Sequence, residues 1–446
     1  MDSERLIAEH ELDTVAVAFA DPYGRLMGKR VPAPVYLERL RDGGLHVCDY
    51  LLCADVELEP LAGFAFSSWE TGYGDMVLQP DRDTLRCTPW LPGSALVLCD
   101  IADHQGRPVA VAPRQVLRRQ LQRLAERGLH PQMASELEFY TFRGSYREIA
   151  DRGHRDLEPT TAYIVDYHLL GTSPDEDLMH ALREQMPEAG VPIESSKGEW
   201  GRGQHEVNLV YCDALTMADR HLVFKEGTKL LAQQHGVSAT FMAKVAADMA
   251  GSSCHIHTSL VDEHGRNAFW DEAAGAPSQL FGHFLAGCMA HARELSWFFA
   301  PLVNSYKRYQ AASFAPTKVA WGEDNRTCGF RVVGHGQSLR IENRIPGADV
   351  NPYLAYAATL AAGLAGIEAA REPPPPTRAN AYAGDASEQV SATFHEALAA
   401  LRDSRLARTA FGEEVWAHYL HFAECEQAAC DRWVSDWEIQ RYFERI

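Results

Sequence analysis

Ser135-Glu136-Leu137-Glu138-Phe139-Tyr140 reads as a β-strand, because a side-chain period of two puts Glu136 and Glu138 on one face and Leu137 and Phe139 on the other. Two further segments repeat the device. Cys254-His255-Ile256-His257-Thr258-Ser259-Leu260 aligns His255, His257 and Ser259, and Leu339-Arg340-Ile341-Glu342-Asn343-Arg344-Ile345 aligns Arg340, Glu342 and Arg344. A fourth stretch, Glu199-Trp200-Gly201-Arg202-Gly203-Gln204-His205-Glu206, sets two carboxylates across a glycine-relaxed bend. A solvated sheet face usually mixes Lys, Thr, Ser and Gln. Here the aligned positions are dominated by Glu, His and Arg, with no lysine among them.

If these faces converge, they gather five carboxylates (Glu136, Glu138, Glu199, Glu206 and Glu342) and the imidazole of His255. That oxygen-rich set suits Mg²⁺ or Mn²⁺ rather than zinc. Nearby in sequence stand Arg308, Arg326 and Arg331. The guanidinium fork grips carboxylate and phosphate in a bidentate manner, so arginines beside divalent-metal ligands point to a nucleoside triphosphate and an anionic substrate. Metal-assisted phosphoryl transfer is the chemistry this inventory predicts.

Outward from these strands, the region from Thr14 to about Ile101 shows short apolar runs, Val15 to Phe19 and Ala95 to Cys99 among them. Turn chemistry such as Asp21-Pro22-Tyr23-Gly24 and Asp42-Gly43-Gly44 separates the runs, which predicts a small, mostly β unit. Gly24 to Arg30 falls one residue short of a phosphate loop's glycine spacing and has no Ser or Thr after its lysine, so it reads as a hairpin turn. Val116, Leu117, Leu121 and Leu124 recur at helical spacing behind Pro113. We place the boundary between residues 1–105 and 106–446. Beyond it, strand-like segments alternate irregularly with helices, including an Ala- and Leu-rich helix from Asn351 to Ala370, an α+β rather than a βαβ pattern. Pro373 to Pro376 make Glu372 to Ala383 an extended surface loop.

The 446 residues are 46% hydrophobic and 23% charged, ordinary globular usage that excludes a disordered or fibrous chain. Lys plus Arg number 42 against 61 Asp plus Glu, a net charge of −19 that argues against nucleic acid or an anionic membrane as partner. The opening residues lack a basic start followed by an apolar run, and no stretch of about 18 apolar residues occurs, which predicts neither export by a standard signal nor a membrane span. Ten cysteines without a CxxC pair read as reduced thiols of a cytoplasmic protein.

Six blocks, SELEFY (135–140), GEWGRGQHEVNL (198–209), GSSCHIHTSL (251–260), NSYKRYQAASFAP (304–316), NRTCGFRV (325–332) and RIENRIPGADVNPYLAYAATLAAGLAGIE (340–368), follow one another in an order that resembles the glutamine synthetases. DPYGRLMGKRVP and GYGDMVLQPDRDTLRCTPW resemble that family's N-terminal β-grasp domain, and SDWEIQRYFERI its closing helix. The resemblance implies an α+β fold: a small β-grasp domain at 1–105, and a catalytic domain at 106–446 built on a curved antiparallel sheet flanked by helices. It also implies a homo-oligomer, a dodecamer of two stacked rings, with each site between neighbouring subunits. Carried over by position, Glu138, Glu199 and Glu206 are expected to ligate the metal near the amino-acid substrate, and Glu136, His255 and Glu342 the metal that holds ATP phosphates. His257 and Ser259, with Arg331, correspond to nucleotide-contacting positions. Arg326 and Arg331 correspond to the phosphate clamp, and Gly251, Arg308, Arg326 and Arg344 to substrate binding. The implied reaction phosphorylates the γ-carboxylate of L-glutamate with ATP, after which an amine displaces phosphate.

Two departures concern that amine. Where ammonia-using members carry a flap glutamate before Ala-Pro, this chain has Phe314, and the family's Asp-Gly-Ser-Ser loop is missing between Glu57 and Gly74. Both changes weaken a site for NH₄⁺ and favour an amine carrying carbon. The pattern resembles the γ-glutamylpolyamine and γ-glutamylmonoamine synthetase branch. Phe314 is expected to act as an apolar lid, Glu199 to take the proton, and substrates to be putrescine-, spermidine- or ethanolamine-like. A true glutamine synthetase using ammonia is the alternative. Ala250 replaces a usually polar neighbour of Gly251, and Tyr382, near the position adenylylated in some members, reads as an ordinary loop tyrosine.

Overall fold

The computed structural model describes residues 3–40, 44–383 and 387–446; the turn read at Asp42-Gly43 lies outside them. Strands β1 (Thr14–Ala20), β2 (Leu26–Pro32), β3 (Leu45–Cys48), β4 (Asp75–Pro80), β5 (Arg86–Cys87) and β6 (Ser94–Ala102) form one sheet in the order β2-β1-β6-β4-β3, with β5 also on β6. The pair β1 and β6 runs parallel. Val15, Val17 and Phe19 bury one face of β1. The link from β1 to β2 is a hairpin turn, as its glycine spacing predicts: the Asp21 carboxylate accepts the backbone N–H groups of Tyr23 at 3.0 Å and Arg25 at 2.8 Å.

A second, nine-stranded sheet takes its strands from the rest of the chain. They are β7 (His130–Arg143), β8 (Ile193–Gly198), β9 (Gln204–Leu209), β10 (Cys212–Asp213), β11 (Val237–Thr240) and β12 (Cys254–Val261). After a separate short hairpin of β13 (Trp270–Asp271) and β14 (Ala276–Pro277) come β15 (Trp321–Glu323), β16 (Phe330–Val333) and β17 (Arg340–Asn343). The order is β15-β16-β17-β12-β7-β9-β8, with β10 and β11 also on β7. All pairings are antiparallel except β15 with β16. Register decides what the sheet presents: Glu136 lies opposite His255 and Asn208, Glu138 opposite Glu206, and Glu342 opposite both His257 and Arg331. The three strand faces read from sequence therefore lie side by side.

The apolar side of β7 is covered by the helices Pro113–Ala125 and Ala214–Gln234. Leu137 and Phe139 are fully buried, and Phe139 meets Phe224 edge-on with ring centroids 6.3 Å apart. The expected helix after Asn351 is Pro352–Glu368, opened by the Asn351 side chain, which accepts the Tyr353 N–H at 3.1 Å. Its small residues let it press backbone to backbone on Gln279–His291. A Cβ on Gly287 would lie 2.2 Å from the Ala362 carbonyl oxygen, and one on Gly366 would lie 2.1 Å from that of His283.

An ionic knot centred on the buried Arg114 and Asp219 ties the two sheets' regions together. Arg114, 4% exposed, donates to Asp81 at 2.8 Å, to Asp100 at 2.7 Å and to both oxygens of Asp219 at 3.0 Å. Arg118 reinforces Asp81 and Asp100 at 3.0 Å each, and Tyr353 donates to Asp219 at 2.5 Å. Asp81 and Asp100 belong to the first sheet's region, Asp219 and Tyr353 to the helices behind the second. At the C-terminal side the helix Asp436–Tyr442 buries none of its residues, and Trp433, Trp437 and Phe443 are all exposed.

Candidate active site

The polar face of the second sheet opens into a cavity of about 700 Å³ whose wall holds Glu136, Glu138, Glu199, Glu206 and His255. Two groups of ligand atoms lie within 4.8 Å of one another: Glu138 with Glu199 and Glu206, and Glu136 with Glu206 and His255. The first group is the set expected for one metal. In the second, Glu206 stands where Glu342 was expected. Glu342 remains close, 3.5 Å from His255 Nδ1, but its two oxygens accept Arg331 Nη1 at 2.8 Å and Arg344 Nη1 in a shorter contact. Two neighbouring guanidiniums have claimed it.

The electrostatics of the wall fit a divalent cation. Burial raises the pKa of Glu138 and the charge of Glu199 raises it further; burial likewise raises Glu206, helped by Glu136 and Glu199. Carboxylates this close repel one another unless positive charge is added. Burial also pushes Glu136 upward, but His255 and His257 outweigh that and hold its carboxyl well below the usual range. Burial, with the charge of Arg344, lowers the pKa of His255 against the pull of Glu136 and Glu342, a direction that favours the neutral form that ligates a metal. Its Nδ1 sits 2.6 Å from Glu136 Oε1, while its buried Nε2 has no partner among the described residues. Glu138 is aimed by Gln204 Nε2 at 3.2 Å and the Ser253 N–H at 2.8 Å, both donating to Oε2. Carboxylate oxygens, an imidazole and excess negative charge describe a site for a divalent cation.

Arg326, Arg331 and Arg344 line the same cavity. Arg331 also holds Asp324. Arg308, read from sequence as a fork for a substrate carboxylate, is 1% exposed and lies behind the wall, donating to Ser253 Oγ at 3.0 Å and to the Ile345 carbonyl oxygen. Gly251 explains the arrangement: a Cβ there would come 2.3 Å from Arg308 Cγ. A second cavity, about 670 Å³, shares Glu136, Tyr167 and Glu206 with the first and is lined by His257, Ser259 and Arg340. His257 Nε2 is 3.4 Å from Glu136, and Arg340 Nε reaches His257 Nδ1 at 3.3 Å.

Phe314 is 53% exposed at the first cavity's rim, with φ +59°. Its ring meets that of Trp200, 54% exposed, at 6.3 Å and 62°, and the Trp200 backbone N–H donates to Glu199 Oε2 at 3.1 Å. Trp200 went unread although it sits beside Glu199 in a quoted segment; the bend at Gly201 breaks the period that would have assigned it a face. Lys197 was also missed. It pairs with Glu199, lies 3.3 Å from Asp166 and rests 4.3 Å above the Tyr167 ring. The acidic run Asp55, Glu57 and Glu59 stays out of the cavity, where Asp55 accepts the Glu57 and Glu59 N–H groups of its own turn.

The profile of the glutamine synthetase catalytic domain matches residues 110–442. The chain belongs to the glutamine synthetase family. Among its relatives in that family, a gamma-glutamylethanolamide synthetase of Streptomyces coelicolor is 49% identical over 441 residues, covering 99% of this chain and 95% of the relative. A glutamate–isopropylamine ligase of Pseudomonas is 38% identical over 444 residues, covering 99% and 97%. A glutamine synthetase of Thermus thermophilus is 37% identical over 390 residues, covering 82% and 84%. A solved complex of GmaS with ADP superposes with a TM-score of 0.86 at 28% identity over 99% of both chains. No helix among the described residues is long and apolar enough to cross a membrane.

Proposed function

We propose that this member of the glutamine synthetase family is an ATP-dependent ligase that joins the γ-carboxylate of L-glutamate to a small amine or polyamine, such as ethanolamine, isopropylamine, putrescine or spermidine. The reaction runs through γ-glutamyl phosphate and releases ADP and phosphate. The observation that carries the choice of amine is the Phe314–Trp200 aromatic pair beside Glu199, where an ammonia site needs negative charge.

A carboxylate is a poor electrophile until one oxygen becomes phosphate, so the site's first task is to steady charge during phosphoryl transfer. Mg²⁺ or Mn²⁺, when bound, neutralises the phosphates and the carboxylate wall. Glu138, Glu199 and Glu206 are assigned to the ion nearer glutamate, and Glu136, His255 and Glu342 to the ion nearer ATP, with Glu206 leaning toward both. His257 and Ser259 face the nucleotide in the second cavity. Arg326 and Arg331 meet the transferring phosphoryl group, and Arg344 and the Gly251 wall hold glutamate. Arg308 supports that wall from behind. For the second task, the aromatic pair receives the carbon chain of the amine and excludes water, and Glu199 accepts the ammonium proton so that a neutral nitrogen attacks.

Residues 1–105 are assigned to a β-grasp domain and 106–446 to the catalytic domain; the separate sheets and the start of the family match support this division. The exposed apolar side chains of Trp69, Trp433, Trp437 and Phe443 support assembly with further copies into a dodecamer of two stacked rings. Ten free cysteines agree with a cytoplasmic setting. The deciding experiment measures phosphate release with ATP, glutamate and a panel of amines including ammonium. Higher kcat/KM for a carbon-bearing amine is expected; ammonium as the fastest substrate would return the enzyme to ordinary glutamine synthesis.

A further inference from the structure

The flap, residues 310–316, carries two non-glycine residues in the left-handed region, Ala312 and Phe314, each at φ +59°. L side chains rarely keep that conformation unless their surroundings impose it. Part of what imposes it comes from far along the chain. Tyr382 donates its hydroxyl at 3.0 Å to the carbonyl oxygen of Ala315, the residue that follows Phe314. The loop that ends at Tyr382 is fastened in turn to the segment bearing Arg326. Trp321 Nε1 donates to Pro374 O at 2.7 Å, and Asn325 Nδ2 donates to Thr377 O at 3.0 Å and to Ala379 O at 2.9 Å. The Ala381 N–H donates to Thr327 Oγ1 at 2.9 Å. Pro373 to Pro376 leave this strap little conformational freedom. Residues 374–382 therefore link the arginine that faces the phosphoryl group to the flap that faces the amine.

We infer that Tyr382 is a positioning residue, whose hydroxyl fixes the Phe314 flap over the site so that the amine nitrogen, and not water, reaches the γ-carboxyl carbon. This rests on the proposed γ-glutamyl phosphate reaction. In productive turnover the amine nitrogen bonds to the carbon of the γ-carboxyl group, the bond from that carbon to the phosphate oxygen breaks, inorganic phosphate leaves, and the nitrogen's proton passes to a carboxylate. In the leak, a water oxygen takes the amine's place and the products are glutamate and phosphate, so ATP is spent without amide.

Tyr382→Phe keeps the ring and removes the donor. With ATP, glutamate and ethanolamine, the ratio of amide formed to phosphate released should fall at least two-fold. Phosphate release without amine should rise three-fold or more, while KM for ATP stays unchanged. Thr327→Val, which frees the strap one link earlier, should move the ratio the same way and decides the matter if Tyr382→Phe does not fold. Wild-type enzyme that forms no amide with any amine would remove the reaction beneath this inference. Wild-type coupling together with an unchanged ratio in the folded variants would overturn the positioning role itself, as would a rise in KM for ATP matching the loss of amide.

Discussion

Glu206 belongs to both carboxylate groups, sits opposite Glu138 in the sheet, and is buried with its charge only partly offset by Lys197. Glu206→Gln removes a ligand and also relieves repulsion. We expect its kcat to fall at least a hundred-fold, while its melting temperature in chelator equals or exceeds that of the wild type. Saturating Mg²⁺ should raise the wild-type melting temperature, as a ligand at about 100 times its Kd adds roughly 2.7 kcal/mol, and raise that of the variant much less. Differential scanning calorimetry with and without Mg²⁺ checks both halves. At the rim, each methylene of an amine buried against Phe314 and Trp200 is worth about 0.8 kcal/mol, so two or three give a preference over ammonium of roughly ten-fold or more. Trp200→Ala should erase most of that preference, and Phe314→Glu should shift it toward ammonium, read as the ratio of kcat/KM values. Glu136, Glu138 and His255 were legible because a strand's period names its face. The burial of Arg308 and the pairing of Glu342 with two arginines were not legible, because a residue's capacity to bind an anion does not say how it packs, and a strand's period does not name its neighbours.

Among the elements, β7 and the helix Pro352–Glu368 were legible from their patterns, and the strap at 374–382 was recognised as an extended loop without its connections. The ionic knot around Arg114 was not legible at all, since its members run from Asp81 to Tyr353 and no local pattern joins them. Removing one partner of a buried ion pair such as Arg114–Asp219 costs about 3 to 5 kcal/mol, because the charge left behind loses its compensation. Arg114→Met should therefore destabilise the protein by that amount in urea unfolding. Arg114→Lys should recover little, as an ammonium cannot span three carboxylates the way a fork does.

At the scale of the whole molecule, His418 lies between regions distant in sequence, with its ring centroid 4.8 Å from that of Phe64 and 5.3 Å from that of Phe422. Burial pushes its pKa down to about 3, against the pull of the Leu52 backbone, from an ordinary 6.5. Between those values the unfolded chain binds a proton that the folded chain refuses. Stability is therefore complete above about pH 6.5 and falls as the pH drops toward 3. Urea midpoints measured at pH 7, 5.5 and 4.5 should decline more steeply in wild type than in His418→Phe. Deleting residues 433–446 takes away Trp433, Trp437 and Phe443, and on the proposed assembly light scattering should then report a smaller particle than for the full chain. The knot has one more consequence, which concerns modularity. A fragment starting at residue 106 keeps Arg114 and Asp219 but leaves Asp81 and Asp100 behind, so its guanidinium faces two empty places. The catalytic portion is thus a poor candidate for excision, and a chimera that borrows another relative's N-terminal portion must inherit acids at positions 81 and 100 to remain sound.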